Sequence, residues 1–381
     1  MSTLLKFIAV LPPGLELEGT IELISLGAKN VKPLRRAVRA TTDLPGLYRI
    51  YLQSRLPFRL FRELATFTCD GPKDLYSKMQ EVVDWKYWLH PSQSFRVSVT
   101  GSSKGLNHTH YTALQVKDSI VNMQERIWGR RSTVNLQNPD LCLHLHLDTD
   151  KCTLSLDGSF NSLHHRGWRS SIGIAPMKEN LAAGLIQITG WDGSVSLVDP
   201  LCGSGTLLIE AARRVLGKVP GLERQFILKN WADFDSYVWA QEKAKAFSQE
   251  CNSEMKSIIA PIIGIEKDKS ILAHAQSNAK AAGVSSLIEF RYGNFQDLMP
   301  CTGPGIIITN PPYGVRLNSD KGLEKLYSDI GYKMKEYCKG WEMWSLSGNS
   351  LLTGYFHMKS RRRYCVSNGG IDCRWLNYEV H

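Results

Sequence analysis

Through the second half of the chain, short apolar runs closed by a turn or an acid alternate with helical patterns. Ser196-Leu197-Val198-Asp199, Ile262-Ile263-Gly264-Ile265-Glu266, Leu287-Ile288-Glu289-Phe290-Arg291-Tyr292 and Ile306-Ile307-Ile308-Thr309 have the length and β-branched content of buried strands. A helical run from Leu207 to Arg213 follows the first, and an alanine-rich helix over residues 268–282 follows the second. This alternation predicts an α/β fold around a parallel sheet. Upstream, a strand near residues 95–100 precedes a helix whose apolar positions Ala113, Val116, Ile120, Met123 and Ile127 recur at three-and-four spacing. Two alternating strands, residues 141–147 and 153–157, flank the turn Asp148-Thr149-Asp150. Residues 1–60 read as short apolar strands and a helix around Gly19-Thr20-Ile21-Glu22-Leu23-Ile24. Residues 213–260 exceed a plain crossover helix, and Trp231, Phe234, Tyr237 and Trp239 suggest extra helical structure near a pocket.

The chemistry sits at the strand tips. Asn310-Pro311-Pro312-Tyr313 ends the fourth strand abruptly, because the diproline allows neither helical nor ladder-bonded continuation. The tip offers an amide, backbone carbonyls without proline N–H donors and an aromatic ring. That set suits a planar amine, which needs acceptors for two hydrogens and a π-face to stack on. A bare Asn-Pro turn is the bland alternative. At the first tip, Asp199-Pro200-Leu201-Cys202-Gly203-Ser204-Gly205-Thr206 joins an acid to a glycine turn and a helix start. It is no phosphate loop: no Gly-Lys-Ser/Thr closes it, and Leu208 breaks the three-glycine dinucleotide spacing. Asp199 faces a cationic or hydroxyl-bearing ligand, and S-adenosylmethionine meets that description. Glu266 at the second tip suits ribose hydroxyls, and Asn294 and Phe295 after the third suit an adenine. Asp268 reads as a helix cap, and Cys202 as a small packing residue.

These residues carry a resemblance. Asp-Pro-Leu-Cys-Gly-Ser-Gly-Thr, then Gly-Ile-Glu-Lys-Asp, then Thr-Asn-Pro-Pro-Tyr-Gly-Val-Arg resemble class I methyltransferases that modify guanine N2 of RNA. With residues 101–157, His164-His165-Arg166-Gly167-Trp168-Arg169 and residues 175–183, nearly the whole chain resembles the THUMP-containing large-subunit ribosomal RNA guanine-N2 methyltransferases. The resemblance implies a ferredoxin-like region (1–60), a THUMP RNA-binding domain (61–160) and a Rossmann-like methyltransferase domain (161–381). It implies S-adenosylmethionine as cofactor, held by Asp199, Pro200, Cys202, Gly203, Gly205, Glu266, Asn294 and Phe295. Asn310, Pro311, Pro312 and Tyr313 become the catalytic shelf, with the product N2-methylguanosine in 23S ribosomal RNA. Transfer RNA, adenine N6 and a catalytically silent RNA-binding assembly factor are the alternatives. The family's usual Asp at the second tip is Glu266 here, and some bacterial relatives carry a second methyltransferase domain not found among these 381 residues.

Composition adds a polyanionic partner. The net charge is +10, with 22 Lys and Arg against 15 Asp and Glu through residue 170, an excess of +7, and +3 after it. Lys29, Lys32, Arg35, Arg36 and Arg39 form the densest cluster, and Lys359, Arg361, Arg362 and Arg363 a second. Arg35 and Arg36, with Arg166, Trp168 and Arg169 in the interdomain segment, are expected to contact RNA. Nine cysteines without a Cys-x-x-Cys pair fit a reducing cytoplasm and neither a disulfide frame nor a zinc site. His144 and His146 share a strand face that reads as polar rather than metal-binding, so no metal is expected. Residues 1–17 do not read as a signal peptide, no run reaches the roughly 18 apolar residues of a membrane span, and no obligate protein partner is evident.

Overall fold

The computed structural model describes residues 4–169, 177–254, 259–297, 303–314 and 322–381. The first sheet gathers β1 (Leu5–Val10), β2 (Lys29–Leu34), β3 (Ala37–Thr42), β4 (Arg59–Thr68), β5 (Ser94–Ser103), β6 (Thr133–Val134), β7 (Leu141–Thr149) and β8 (Lys151–Asp157). Its order is β2-β3-β1-β4-β8-β7-β5-β6. α1 (Glu16–Ser25), α2 (Leu44–Gln53), α3 (Pro72–Glu81), the single turn α4 (Trp85–Trp88) and α5 (Thr109–Trp128) belong to this unit. β4 pairs with β1 on one side and β8 on the other, so one sheet runs through the point where two domains were expected to meet. His144 departs from the expected polar face. It is buried and stacked on Phe61 with centroids 3.9 Å apart, and burial pushes its imidazole down to about 4.

The second unit contains α6 (Glu179–Thr189), β9 (Ser196–Asp199), α7 (Thr206–Val215), α8 (Ser236–Glu254), β10 (Ile262–Glu266), α9 (Lys269–Ala281) and β11 (Ile288–Tyr292). β12 (Gly305–Thr309), α10 (Leu323–Tyr337), β13 (Glu342–Ser347), α11 (Ser350–Gly354), β14 (Ser360–Asn368) and β15 (Ile371–Glu379) complete it. Its sheet order is β11-β10-β9-β12-β13-β15-β14. The strands from β11 to β13 are parallel, and β15 runs antiparallel to both β13 and β14. The chain winds outward from β9 through β10 to β11 and then returns to β12 on the other side of β9. That reversal opens a crevice beyond the carboxyl ends of β9 and β12, where α/β sheets bind ligands.

Each unit lends side chains to the other's core. Leu15 is fully buried in the catalytic core, so close to α6 that a Cβ on Gly184 would lie 2.3 Å from its methyl group. In return Phe226, Leu228, Trp231, Trp239 and Ala246 enter the core of the first unit. Trp239 meets Tyr48 edge-on at 5.3 Å, and the Asp235 N–H donates to the Tyr48 hydroxyl at 2.9 Å. Arg62 forms a two-point pair with Asp233 and lies between the Trp88 and Trp231 rings, at 5.1 and 5.4 Å. Residues 213–260 were expected to border the pocket. Trp231, Phe234 and Trp239 instead bind the two units together by packing against Tyr48 and Tyr51 of α2, while Tyr237 is exposed.

Candidate active site

The glycine turn at the end of β9 is held by short-range bonds. Gly203 and Gly205 have φ of +54° and +79°, a region L side chains rarely adopt. A Cβ on Gly203 would meet nothing within 4 Å, so its backbone borders open space. One on Gly205 would lie 3.1 Å from the Phe290 ring. Gly205 therefore serves packing as well as the left-handed start of α7. Pro200 and Cys202 are buried, and the Cys202 N–H donates to the Ile265 carbonyl at 3.0 Å. Burial, then Asp199 and Glu266 nearby, push the Cys202 thiol far up, which removes it as a nucleophile.

Two carboxylates face this turn. Asp199 is 2% exposed, and burial raises it from 3.8 to about 7. The Leu201 N–H at 3.1 Å and the Thr309 side chain oppose the shift, and Glu266 adds to it. Half-buried Glu266 accepts from the Gly203 N–H at 3.1 Å and from the Asp268 N–H at 2.9 Å. Each oxygen thus keeps acceptor capacity after tying the first two strand tips together. Asp268 caps α9 as expected, accepting from the N–H groups of Ser270 and Ile271. At the third tip Asn294 is exposed while Phe295 is buried in the catalytic core, so the ring expected to flank adenine is committed to packing. Buried Asn278 on α9, which no sequence pattern signalled, donates to the Ser204 carbonyl at 3.3 Å and braces the turn.

Across the crevice, β12 delivers Asn310. Its Oδ1 is buried and has no hydrogen-bond partner among the described residues, an expensive condition for an amide oxygen unless a ligand donates to it. Pro311 is buried and Pro312 half-buried. Tyr313 departs from expectation. The ring is 8% exposed, its hydroxyl accepts from the Asn368 amide at 3.0 Å, and a Cβ on Gly348 would lie 3.1 Å from it. It is no open stacking platform. It is a fixed wall held by β14 and by the residues after β13, and Asn368, 55 positions away, could not have been paired with it from local pattern.

Three of the five residues expected to grip RNA are spent inside the protein. Arg166 is 4% exposed, 3.4 Å from Glu210, and donates to the Leu163 and Arg55 carbonyls. Trp168 is 2% exposed within the catalytic core. Arg169 stacks on Trp168 at 5.3 Å and donates to Glu179, the Met177 carbonyl and the Thr206 hydroxyl at 3.0–3.3 Å. The segment's cations satisfy buried carbonyls and carboxylates at the domain junction, which holds them more firmly than solvent would. Arg35 and Arg36 stand exposed at the turn between β2 and β3. Among the described residues, no group of three His, Cys, Asp or Glu could hold a metal, and no helix is long and apolar enough to cross a membrane.

A doubly wound sheet with an acid, a glycine turn and a second acid on one side of its switch point, and Asn-Pro-Pro-Tyr on the other, defines a class I S-adenosylmethionine-dependent methyltransferase. The donor set fits that cofactor: buried Asp199 for a cation, Glu266 with spare acceptor capacity for ribose, and open space at Gly203. The chain belongs to the THUMP-containing class I RNA methyltransferase family. Residues 166–377 match the RMKL-like methyltransferase domain, residues 72–157 the THUMP domain, and residues 6–61 the RlmL ferredoxin-like domain. It is 38% identical to slr0064 of Synechocystis sp., named as a candidate RNA methyltransferase, over 100% of this chain and 98% of that one. It is 35% identical to ribosomal RNA large subunit methyltransferase K/L of Vibrio parahaemolyticus over 98% of this chain, but spans only 53% of that relative. A crystal structure of a candidate methylase from Clostridium difficile 630 superposes with a TM-score of 0.90 at 28% identity, covering 100% and 99% of the two chains.

Proposed function

We propose that this chain methylates the N2 amine of guanine in RNA, with 23S ribosomal RNA as the substrate. The buried Asn310 Oδ1, without a partner among the described residues at the end of the strand next to the one that carries Asp199, carries the reading. The cofactor supplies an electrophilic methyl group when bound. Asp199 and Glu266 hold its polar groups, and the Gly203 backbone allows close approach.

The chain's part in the reaction is to prepare the amine. The N2 lone pair is delocalised into the guanine ring and is a poor nucleophile. Hydrogen bonds from the amine to Asn310 Oδ1 and the Pro311 carbonyl favour pyramidal nitrogen and stabilise the positive charge that develops there. Pro311 and Pro312 contribute no N–H, so the tip presents acceptors to the amine. The methylated nitrogen is acidic enough to lose its proton to water, so the shelf needs no general base. RNA reaches it from the basic first unit, where exposed Arg35 and Arg36 contact phosphate. A cytoplasmic location, with no obligate protein partner, belongs to the same reading.

Incubating the chain with S-adenosylmethionine and protein-free ribosomal RNA, followed by mass spectrometry of nucleosides, tests this. N2-methylguanosine in 23S RNA is the expected product. N6-methyladenosine would move the assignment to adenine, and no methylated nucleoside from 23S RNA or transfer RNA would favour an assembly factor.

A further inference from the structure

We propose that the β14–β15 hairpin, with the cleft at its base, holds the single-stranded RNA flanking the target base; this rests on the RNA-methyltransferase reading. At the shelf's end of the sheet, a cleft of about 520 Å³ is lined by Ser347, Asn349, Ser367, Asp372 and Arg374, and by the Pro13-Gly14 turn of the first unit. Such a volume suits a nucleotide-sized ligand. A second depression of about 510 Å³ continues from it along α11, shares Arg374, and adds His357, Lys359 and Arg363. The cleft adjoins the shelf directly, because Gly348 lines the cleft and packs on the Tyr313 ring. Asn368, at the end of β14, donates to the Tyr313 hydroxyl.

The charge along this track is positive. Lys359, Arg361, Arg362, Arg363 and Arg374 are all exposed. Arg361 is paired with Glu379 at 2.8 Å, the Arg363 Nε donates to Ser360 at 2.8 Å, and Asp372 is the acid within the cleft. Arg363 and Arg374, which both line the second depression, form no ion pair among the described residues. Cations on an edge strand also deter strand-to-strand aggregation, and that accounts for β14. It does not account for Arg374, which lies on the inner strand β15 opposite Ser347 and Cys365, nor for the nucleotide-sized cleft beside the shelf. A phosphate on Arg374 and Arg363, which share one face of the hairpin, and a base against Asn349 and Asp372 satisfy both observations.

Binding of a fluorescein-labelled, mixed-sequence, single-stranded 12-nucleotide RNA to the full chain, measured across salt concentrations, tests the track. Arg363→Gln with Arg374→Gln should weaken binding on the order of tenfold and flatten the log–log salt slope by about 1.4, at about 0.7 per phosphate contact. Arg374→Gln alone should remove about 0.7 of that slope, while ion-paired Arg361→Gln should change it least. S-adenosylhomocysteine affinity by calorimetry should stay at the wild-type value in all three. Wild-type RNA affinity and slope in both the single and the double variant would overturn the track and leave the RNA reading intact. A wild-type chain that binds S-adenosylhomocysteine but not the RNA would overturn the RNA reading itself.

Discussion

The two sides of the crevice are built by different means. On the β9 and β10 side, the carboxylate of Glu266 and the amide of Asn278 fix the glycine turn through backbone groups. On the β12 side, Asn310 Oδ1 is left without a partner among the described residues, and Tyr313 is held by Asn368 from the far edge of the sheet. The cofactor side is largely satisfied before any ligand arrives. The target side keeps an unmet acceptor, which is where a transition state can gain more than a ground state.

The largest expected break in this contrast is Asn310→Ala. It should lower single-turnover methylation by roughly 10²-fold or more and leave S-adenosylhomocysteine affinity unchanged by calorimetry. Equal rates for wild type and variant would mean the shelf does not organise methyl transfer.

Glu266→Ala should act on the other side. Loss of a half-buried acceptor that also ties Gly203 costs on the order of 1–3 kcal/mol of cofactor affinity, with turnover at saturating cofactor much less affected. A titration showing wild-type affinity would remove Glu266 from the cofactor site.

Asp199 sharpens the comparison through pH. Its carboxyl is raised to about 7, so the folded chain holds a proton that the unfolded chain releases above 3.8. Its contribution to stability is therefore fully present below about pH 4 and is lost as pH rises through 7. A bound cation favours the carboxylate, so cofactor affinity should fall as pH drops below 7, by up to about tenfold per unit. Calorimetry from pH 5.5 to 8 should show that slope in wild type and none in Asp199→Asn.

Tyr313→Phe is the mildest. It keeps the wall but leaves the Asn368 amide without this acceptor, which costs on the order of 1–3 kcal/mol of stability, read by denaturant unfolding. Turnover should drop only a few-fold.

What could be read from the chain alone follows the range of the interactions. The strands at β9, β10, β11 and β12 stand where their apolar runs place them, and Asp268 caps α9, because burial period and capping are local properties. β13, β14 and β15 were not anticipated. The Arg361-Arg362-Arg363 run on β14 hides the alternation of an edge strand behind exposed charge.

Sequence by itself determined the class of chemistry, since an acid, a glycine turn and Asn-Pro-Pro-Tyr at successive strand ends require only chain order and strand direction. Tertiary structure alone decided which charges remain available. Arg166 and Arg169 carry the same guanidinium as Arg35 and Arg36, yet Arg166 lies against buried Glu210 and Arg169 against Glu179, while the other two project from a turn. It also decided that Trp231 and Trp239 join the two cores and that Asn368 fixes Tyr313. The physical reason is that buried charges and rings take whichever partner the packed chain brings within reach, and those partners lie tens to hundreds of residues away.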